Sequence, residues 1–250
     1  MDIKGRTALV TGGAQRVGRA ISLKLAQAGA NVIVNYNHSS SEANETVAEA
    51  EKFGIKAEAI RADISDAAQV KDMVEKARER FTAIDILINN SSLFRKTSLP
   101  TDDFTAWHQV TSVLIDGPFY CANAVAPMMI DKGEGVIVNI VDLSAWEAWP
   151  NFTAHTVGKS ALLAMTRQLA FDLAPSIRVN AIAPGPVLPP PSYDAARIER
   201  TAKKTLLGRW GSPEDVTRTV IFLIESDYIT GEVIVVDGGE RYGYRRHEEA

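Results

Sequence analysis

The 250-residue sequence predicts one α/β domain, a doubly wound parallel sheet of seven strands with helices on both faces. Three observations predict it. Short apolar runs recur at residues 8–10, 32–35, 57–62, 84–89, 136–141, 178–183 and 233–236. Helical patterns separate nearly all of them, and strands apolar on both faces that alternate with helices form a parallel sheet covered on both sides. No linker rich in Gly, Ser or Pro divides the chain and no internal repeat shows, so right-handed crossovers wind a single sheet.

Composition narrows the function classes. At 46% hydrophobic and 23% charged the chain can bury one sizeable core. A net charge of −4 gives no bulk electrostatic case for nucleic acid. Cys121 stands alone, which excludes a disulfide framework within the chain. His38, His108, His155 and His247 share no ligand-like spacing, so no metal is expected. The first strand begins almost at once, leaving no room for a signal peptide, and no apolar run reaches the ~18 residues of a membrane span. A reducing cytoplasm is the expectation.

In chain order, Ala8, Leu9 and Val10 stop at Gly12-Gly13, and then Val17, Ile21, Leu25 and Ala28 recur at helical spacing. Glycines in such a turn let backbone N–H groups approach a phosphate at the positive end of the helix. Gly12, Arg16, Val17 and Gly18 are therefore candidate phosphate-side residues. A second strand at 31–35 completes the core unit of a dinucleotide-binding fold. It runs into Asn35-Tyr36-Asn37-His38-Ser39-Ser40, which lacks the acid that would accept from a ribose 2′-OH. Arg16, His38 and the hydroxyls of Ser39 and Ser40 suit a 2′-phosphate instead, with Asn37 a further cofactor-side candidate, so NADP(H) is the expected cofactor; the plain alternative is a solvated turn.

Strand three leads to Asp63-Ile64, and Asp66 to Gln69 reads as a capping box. Strand four ends in Asn89-Asn90-Ser91-Ser92, where Asn90 can satisfy loose backbone groups beside the crevice. A long helix is expected at 110–129. Strand five runs into Asp142, followed by a loop with Trp146 and Trp149, which offer either flat apolar surface or loop packing. A helix then opens at His155 and carries Lys159 one turn on, so the two side chains can meet. Strand six ends in Pro184-Gly185-Pro186-Val187, and residues 187–207, with Pro189-Pro190-Pro191, are expected to form a lid over the substrate. Ser212-Pro213-Glu214-Asp215 is a second helix start. After the last strand, residues 240–250 form a tail, either a solvated end or an arm reaching a neighbouring subunit.

Over residues 5–240 these motifs, with Gly117-Pro118-Phe119, Gly158-Lys159-Ser160-Ala161-Leu162 and Val236-Asp237-Gly238-Gly239, resemble the short-chain dehydrogenases/reductases. The resemblance implies a Rossmann fold and an adenine contact at Asp63-Ile64. It places Lys159 on the nicotinamide ribose and Pro184, Gly185 and Val187 at the cofactor. It also implies a homotetramer built through the helix holding residues 155–173 and the last strand.

The departures lie at the chemistry. Arg16 replaces the middle glycine of the turn. Leu114 stands where the family often has an asparagine that helps hold a water in the proton path. His155 occupies the place of the active-site tyrosine, and Asp142, thirteen residues earlier, that of the serine. Asp142, Arg16 and the segment from Asn35 to Ser39 resemble the pteridine reductases, in which the aspartate joins the tyrosine in delivering protons to a pterin or folate. An ordinary imidazole titrates near ~6.5, and a carboxylate beside it favours the protonated ring, while a lysine disfavours it.

Two readings follow. One is an NADPH-dependent reductase that passes hydride to a C=N or C=O bond of a small molecule, with Asp142 and His155 supplying the proton. The other is a cofactor-binding chain with a decayed site, serving as sensor or partner subunit. Asp142, Lys159, Asn90 and Pro184-Gly185 favour the first; Leu114 and His155 favour the second.

Overall fold

The computed structural model describes residues 1–243; most of the expected tail, residues 244–250, lies outside the described residues. Seven parallel strands form one sheet: β1 (Thr7–Val10), β2 (Asn31–Tyr36), β3 (Ala57–Arg61), β4 (Ile86–Asn89), β5 (Gly135–Ile140), β6 (Ile177–Pro184) and β7 (Val233–Val236). Their spatial order is β3-β2-β1-β4-β5-β6-β7. β2 and β3 lie on one side of β1, and β4 to β7 on the other. The winding therefore reverses between β1 and β4, and a crevice opens at the carboxyl ends of that pair.

Alternation along each strand sends neighbours to opposite faces. Ala8, Val10, Val32, Val34, Ile86 and Ile88 pack against α1 (Arg16–Gln27), α2 (Ser40–Glu51) and α8 (Pro213–Glu225). Leu9, Ile33, Leu87 and Ile137 face α3 (Ala67–Phe81) and α5 (Gly117–Lys132). The remaining helices are α4 (Thr105–Thr111), α6 (Thr153–Asp172), α7 (Ala195–Lys204) and the four-residue α9 (Glu240–Gly243).

The structure alters several expectations. The helix expected at 110–129 is longer: α4, a π-turn at Ser112–Asp116 and α5 run on as one helix over Thr105–Lys132. By length and composition it could cross a membrane, contrary to the reading that no run reaches that size, but Cys121, Val125 and Met129 bury its inner face in the sheet core. β4 begins at Ile86 rather than 84; just ahead of it the Asp85 carboxylate accepts from the Thr7 N–H at 2.9 Å. β7 is half-buried along its whole length, because it has a partner strand only in β6. At α3, Asp66 accepts from the N–H groups of Ala68 and Gln69, but Gln69 Oε1 reaches Asp63 N rather than closing a reciprocal box. At α8 the return arm forms, with Ser212 N donating to Asp215 Oδ2 at 2.8 Å.

Candidate active site

The turn after β1 is shaped by what cannot fit there. Gly12 has φ +59°, and a Cβ at Gly18 would lie 2.1 Å from Gly12 O. The close approach fixes Gly18 at the first turn of α1. Gln15, the residue ahead of that helix, makes no side-chain cap, and the first turn holds no acid. The backbone donors at this helix start thus face the crevice without a protein carboxylate, which suits an anionic group. Arg16 adopts φ +51°, a left-handed conformation that costs a non-glycine residue roughly 1–3 kcal/mol.

A cleft of about 640 Å³ opens at the switch point. Gly12, Arg16, Val17, Gly18, Asn37, His38, Ser39, Asp63, Ile64 and Asn90 all line it. The polar residues among them brace one another. Asn90 Nδ2 donates to Thr11 O at 2.9 Å and to Gly12 O at 3.1 Å, and Asn37 Nδ2 donates to Asp63 Oδ2 at 3.0 Å. Burial acts to raise the Asp63 carboxyl, but hydrogen bonds from Ser65 and Asn37 and the nearby His38 together hold it below its ordinary value. Two braces have no signal in the turn motif itself. Thr11 Oγ1 accepts from the N–H groups of Asn90 and Ser91, and Asn35 Oδ1 accepts from Gly12 N at 3.3 Å. A hydroxyl and an amide at the two strand ends are the only hints the sequence holds.

Pro184, Gly185 and Val187 do not line this cleft. Val187 is buried and faces a second cavity of about 580 Å³ with Pro186 and Asp237, and Gly185 lies against Asp237, whose Cβ would stand 2.7 Å from an added Cβ. Lys159 is not in the cleft lining either; it is drawn into the protein beside Asp142.

Asp142, His155 and Lys159 meet where β5 ends. His155 Nε2 lies 2.8 Å from Asp142 Oδ2. Asp142 Oδ1 accepts from Ser144 N at 2.9 Å and from Ser144 Oγ at 2.5 Å, so both carboxylate oxygens are engaged. Lys159 Nζ donates to Ile140 O at 2.7 Å. His155 and Lys159 are each 2% exposed. Burial pushes the Lys159 amine down, partly offset by the Asp142 charge. For Asp142 burial acts upward, but the hydrogen bond from His155, the Lys159 and His155 charges and Ser144 outweigh it and keep the carboxyl below its ordinary range. His155 Nδ1 is buried with no hydrogen-bond partner among the described residues. An imidazole held at one nitrogen by a carboxylate, with the other left bare, can hold and give a proton.

The surroundings of this trio are aromatic in front and apolar behind. Trp149 lies parallel to the His155 ring at 5.9 Å, and Phe94 meets it edge-on at 4.8 Å and stacks on Phe152 at 4.2 Å. Trp149 thus packs on His155, whereas Trp146 is 48% exposed. Phe94 and Phe152 join the site through tertiary packing. Leu114 is fully buried with Val110 and Ala154, and the Gly158 backbone lies so close that an added Cβ would be 2.7 Å from Leu114 Cβ. The leucine fills the space behind the helix with hydrocarbon. A buried chain of amides braces the assembly: Asn89 Nδ2 donates to Asn139 Oδ1 at 2.8 Å, and Asn139 Nδ2 to Thr166 Oγ1 at 2.9 Å, tying β4 and β5 to α6.

Residues 12–240 match the family described as enoyl-(acyl carrier protein) reductase. The chain belongs to the short-chain dehydrogenase/reductase family. Within it, a 3-oxoacyl-[acyl-carrier-protein] reductase of Thermotoga maritima is 35% identical over 245 residues, covering 96% of this chain and 99% of the relative. An L-rhamnose 1-dehydrogenase (NADP(+)) of Thermoplasma acidophilum is 34% identical over 252 residues, covering 96% and 97%. Among solved structures, the FolM alternative dihydrofolate reductase 1 of Brucella canis, complexed with NADP, superposes with a TM-score of 0.90 at 35% identity and covers 96% of this chain and 95% of that one. Membership carries oxidoreductase chemistry on a Rossmann fold. Relatives of such different named activities at near-equal identity leave the substrate to be read from the site.

Proposed function

We propose that this protein is an NADPH-dependent reductase that delivers hydride to a C=N or C=O bond of a small flat molecule, with a pterin or folate ring as the leading substrate class. The Asp142–His155 pair at 2.8 Å, beside buried Lys159, carries the reading. NADP(H) binds in the cleft between β1 and β4. The uncapped start of α1 takes the pyrophosphate, and Arg16, Asn37, His38 and Ser39 take the 2′-phosphate. Asp63 and Ile64 meet the adenine, and Asn90 fixes the turn. Lys159, Pro184, Gly185 and Val187 belong to the nicotinamide side.

The bound cofactor supplies hydride. His155 donates a proton to the substrate atom that becomes O–H or N–H, and Asp142 orients the imidazole and balances its charge. Trp149 and Phe94 offer faces for a flat ring. The pterin class also rests on the likeness to the Brucella canis reductase and on the aspartate in place of serine. The other expectation, a chain that binds cofactor without turnover, finds no support in relatives named as reductases and dehydrogenases.

Residues 187–207 act as the substrate lid. Assembly into a homotetramer through α6 and β7 belongs to the same proposal: Phe171 on α6 is 82% exposed, and β7 is a half-buried edge. A reducing cytoplasm remains the proposed setting, and no nucleic acid, membrane or metal partner is assigned. A screen of NADPH oxidation against dihydropterins, folates, quinones and simple carbonyls tests the function. Turnover of a pterin or folate supports it; turnover of carbonyls alone removes the pterin class, and no turnover with any acceptor removes the reductase reading.

A further inference from the structure

Arg16 has a second attachment that the cofactor turn alone does not require. Its side chain leaves the turn and Nη2 donates to Leu188 O at 2.9 Å and to Pro189 O at 3.4 Å, 172 and 173 residues further along. The receiving segment reads Leu188-Pro189-Pro190-Pro191. Prolines lack the N–H that would pair this stretch with a strand, and their fixed φ makes it a stiff strap. Among the described residues, the side-chain hydrogen bonds that tie residues 188–194 to the body of the domain are those of Arg16. The strap continues into α7, which buries none of its residues. Packing therefore does little to hold this part of the chain down. Its far end is pinned by Trp210, whose Nε1 donates to Ile198 O at 2.8 Å. Against the strap runs a groove of about 860 Å³, lined by Arg16, Phe94, Pro190, Pro191 and Tyr193 and, on its α1–α2 side, by Arg19, Glu42 and Glu45.

Arg16 thus borders both the dinucleotide cleft and this groove. A guanidinium carries five N–H donors in a rigid plane, so Nη2 can stay on the strap while the other edge meets an anion. We propose that Arg16 is a positioning residue that couples the two: a phosphate of the bound cofactor fixes the guanidinium, and the fixed guanidinium holds the 187–204 segment down over this groove. The left-handed backbone at Arg16 fits this role, since a glycine would take that conformation without strain but would leave the strap untied. This proposal rests on the cofactor reading above, and it makes lid order depend on which nicotinamide cofactor is present.

Hydrogen exchange read by mass spectrometry on the full chain tests it, using wild type, Arg16→Gly and Arg16→Lys, each alone, with NADPH and with NADH. In wild type, NADPH is expected to slow exchange in peptides from 187–204 by about tenfold or more, the usual reach of a charge-assisted contact, and NADH to slow it far less. Arg16→Gly should exchange faster in the same peptides without cofactor, and NADPH should no longer protect them, although peptides of the turn at 12–20 still become protected. Arg16→Lys, a single-point donor, should fall between. Equal protection of 187–204 by NADPH in wild type and Arg16→Gly would overturn the coupling. Absence of protection at 12–20 in every variant would instead overturn the cofactor reading, while the comparison of cofactor-free wild type and Arg16→Gly would still decide whether Arg16 ties the strap.

Discussion

Two charged residues, Asp142 and Arg16, set the electrostatics of the site. Asp142 places a buried charge at the end of β5, and it is accommodated because Ser144, His155 and Lys159 all favour the ionised form. Its carboxyl is lower in the folded protein than its ordinary value of 3.8. Folding stability from this group is therefore present above that value and is lost as pH falls through the lowered one. Asp142→Asn should accordingly melt lower than wild type near neutral pH. The gap should narrow as pH drops below the ordinary carboxyl range, which thermal melts across an acid series would show; a constant gap would assign the loss to shape rather than charge. At Arg16 the expectation concerns cofactor choice. Losing a charge-assisted contact to the 2′-phosphate costs about 1.5–3 kcal/mol, so Arg16→Ala should weaken NADPH binding by roughly that amount and leave NADH nearly unchanged in calorimetry. Equal losses for both would place the guanidinium elsewhere on the cofactor.

At the scale of elements, some helix starts are closed by their own side chains, whereas others, α1 among them, are left open. α3 is capped by Asp66 and α8 by the Ser212–Asp215 pair, both legible in the sequence as acids and hydroxyls ahead of an apolar stripe. α1 lacks a side-chain cap, and its glycine turn was legible for the same reason: Gly18 is the residue that lets the backbone double back on Gly12 O. Gly18→Ala should destabilise by about 1–3 kcal/mol, the usual cost of forcing a methyl into filled space, and should weaken both NADPH and NADH because the turn itself moves. A variant with wild-type melting temperature and affinity would mean that the turn can relax. What the sequence did not disclose lies across elements. The Asn89–Asn139–Thr166 chain joins two strands to a helix, and the Phe94–Phe152–Trp149 cluster brings rings from separate loops onto His155. Neither has a local spacing, because each exists only once the sheet order sets β4 beside β5.

For the whole molecule, the strand order explains why most of the site could be read in advance. Strands β1 to β5 each end on the same edge of a parallel sheet, so residues just past a strand end are neighbours whatever their distance in sequence. Gly12, Asn37, Asp63, Asn90 and Asp142 all follow that rule. The rule fails where the chain leaves the sheet edge, as at Val187, which turns into a separate cavity, and at Leu188, whose carbonyl receives Arg16. The central claim is that this assembled edge drives reduction with His155 as the proton donor. The most direct measurement is the rate of NADPH oxidation by wild type and His155→Phe, with an acceptor found by the substrate screen and with NADPH affinity measured in parallel. The account predicts that His155→Phe lowers turnover by about 10²–10⁴-fold, the usual share of general acid catalysis, with little change in NADPH affinity. A wild-type rate that is measurable and unaffected by His155→Phe would contradict it.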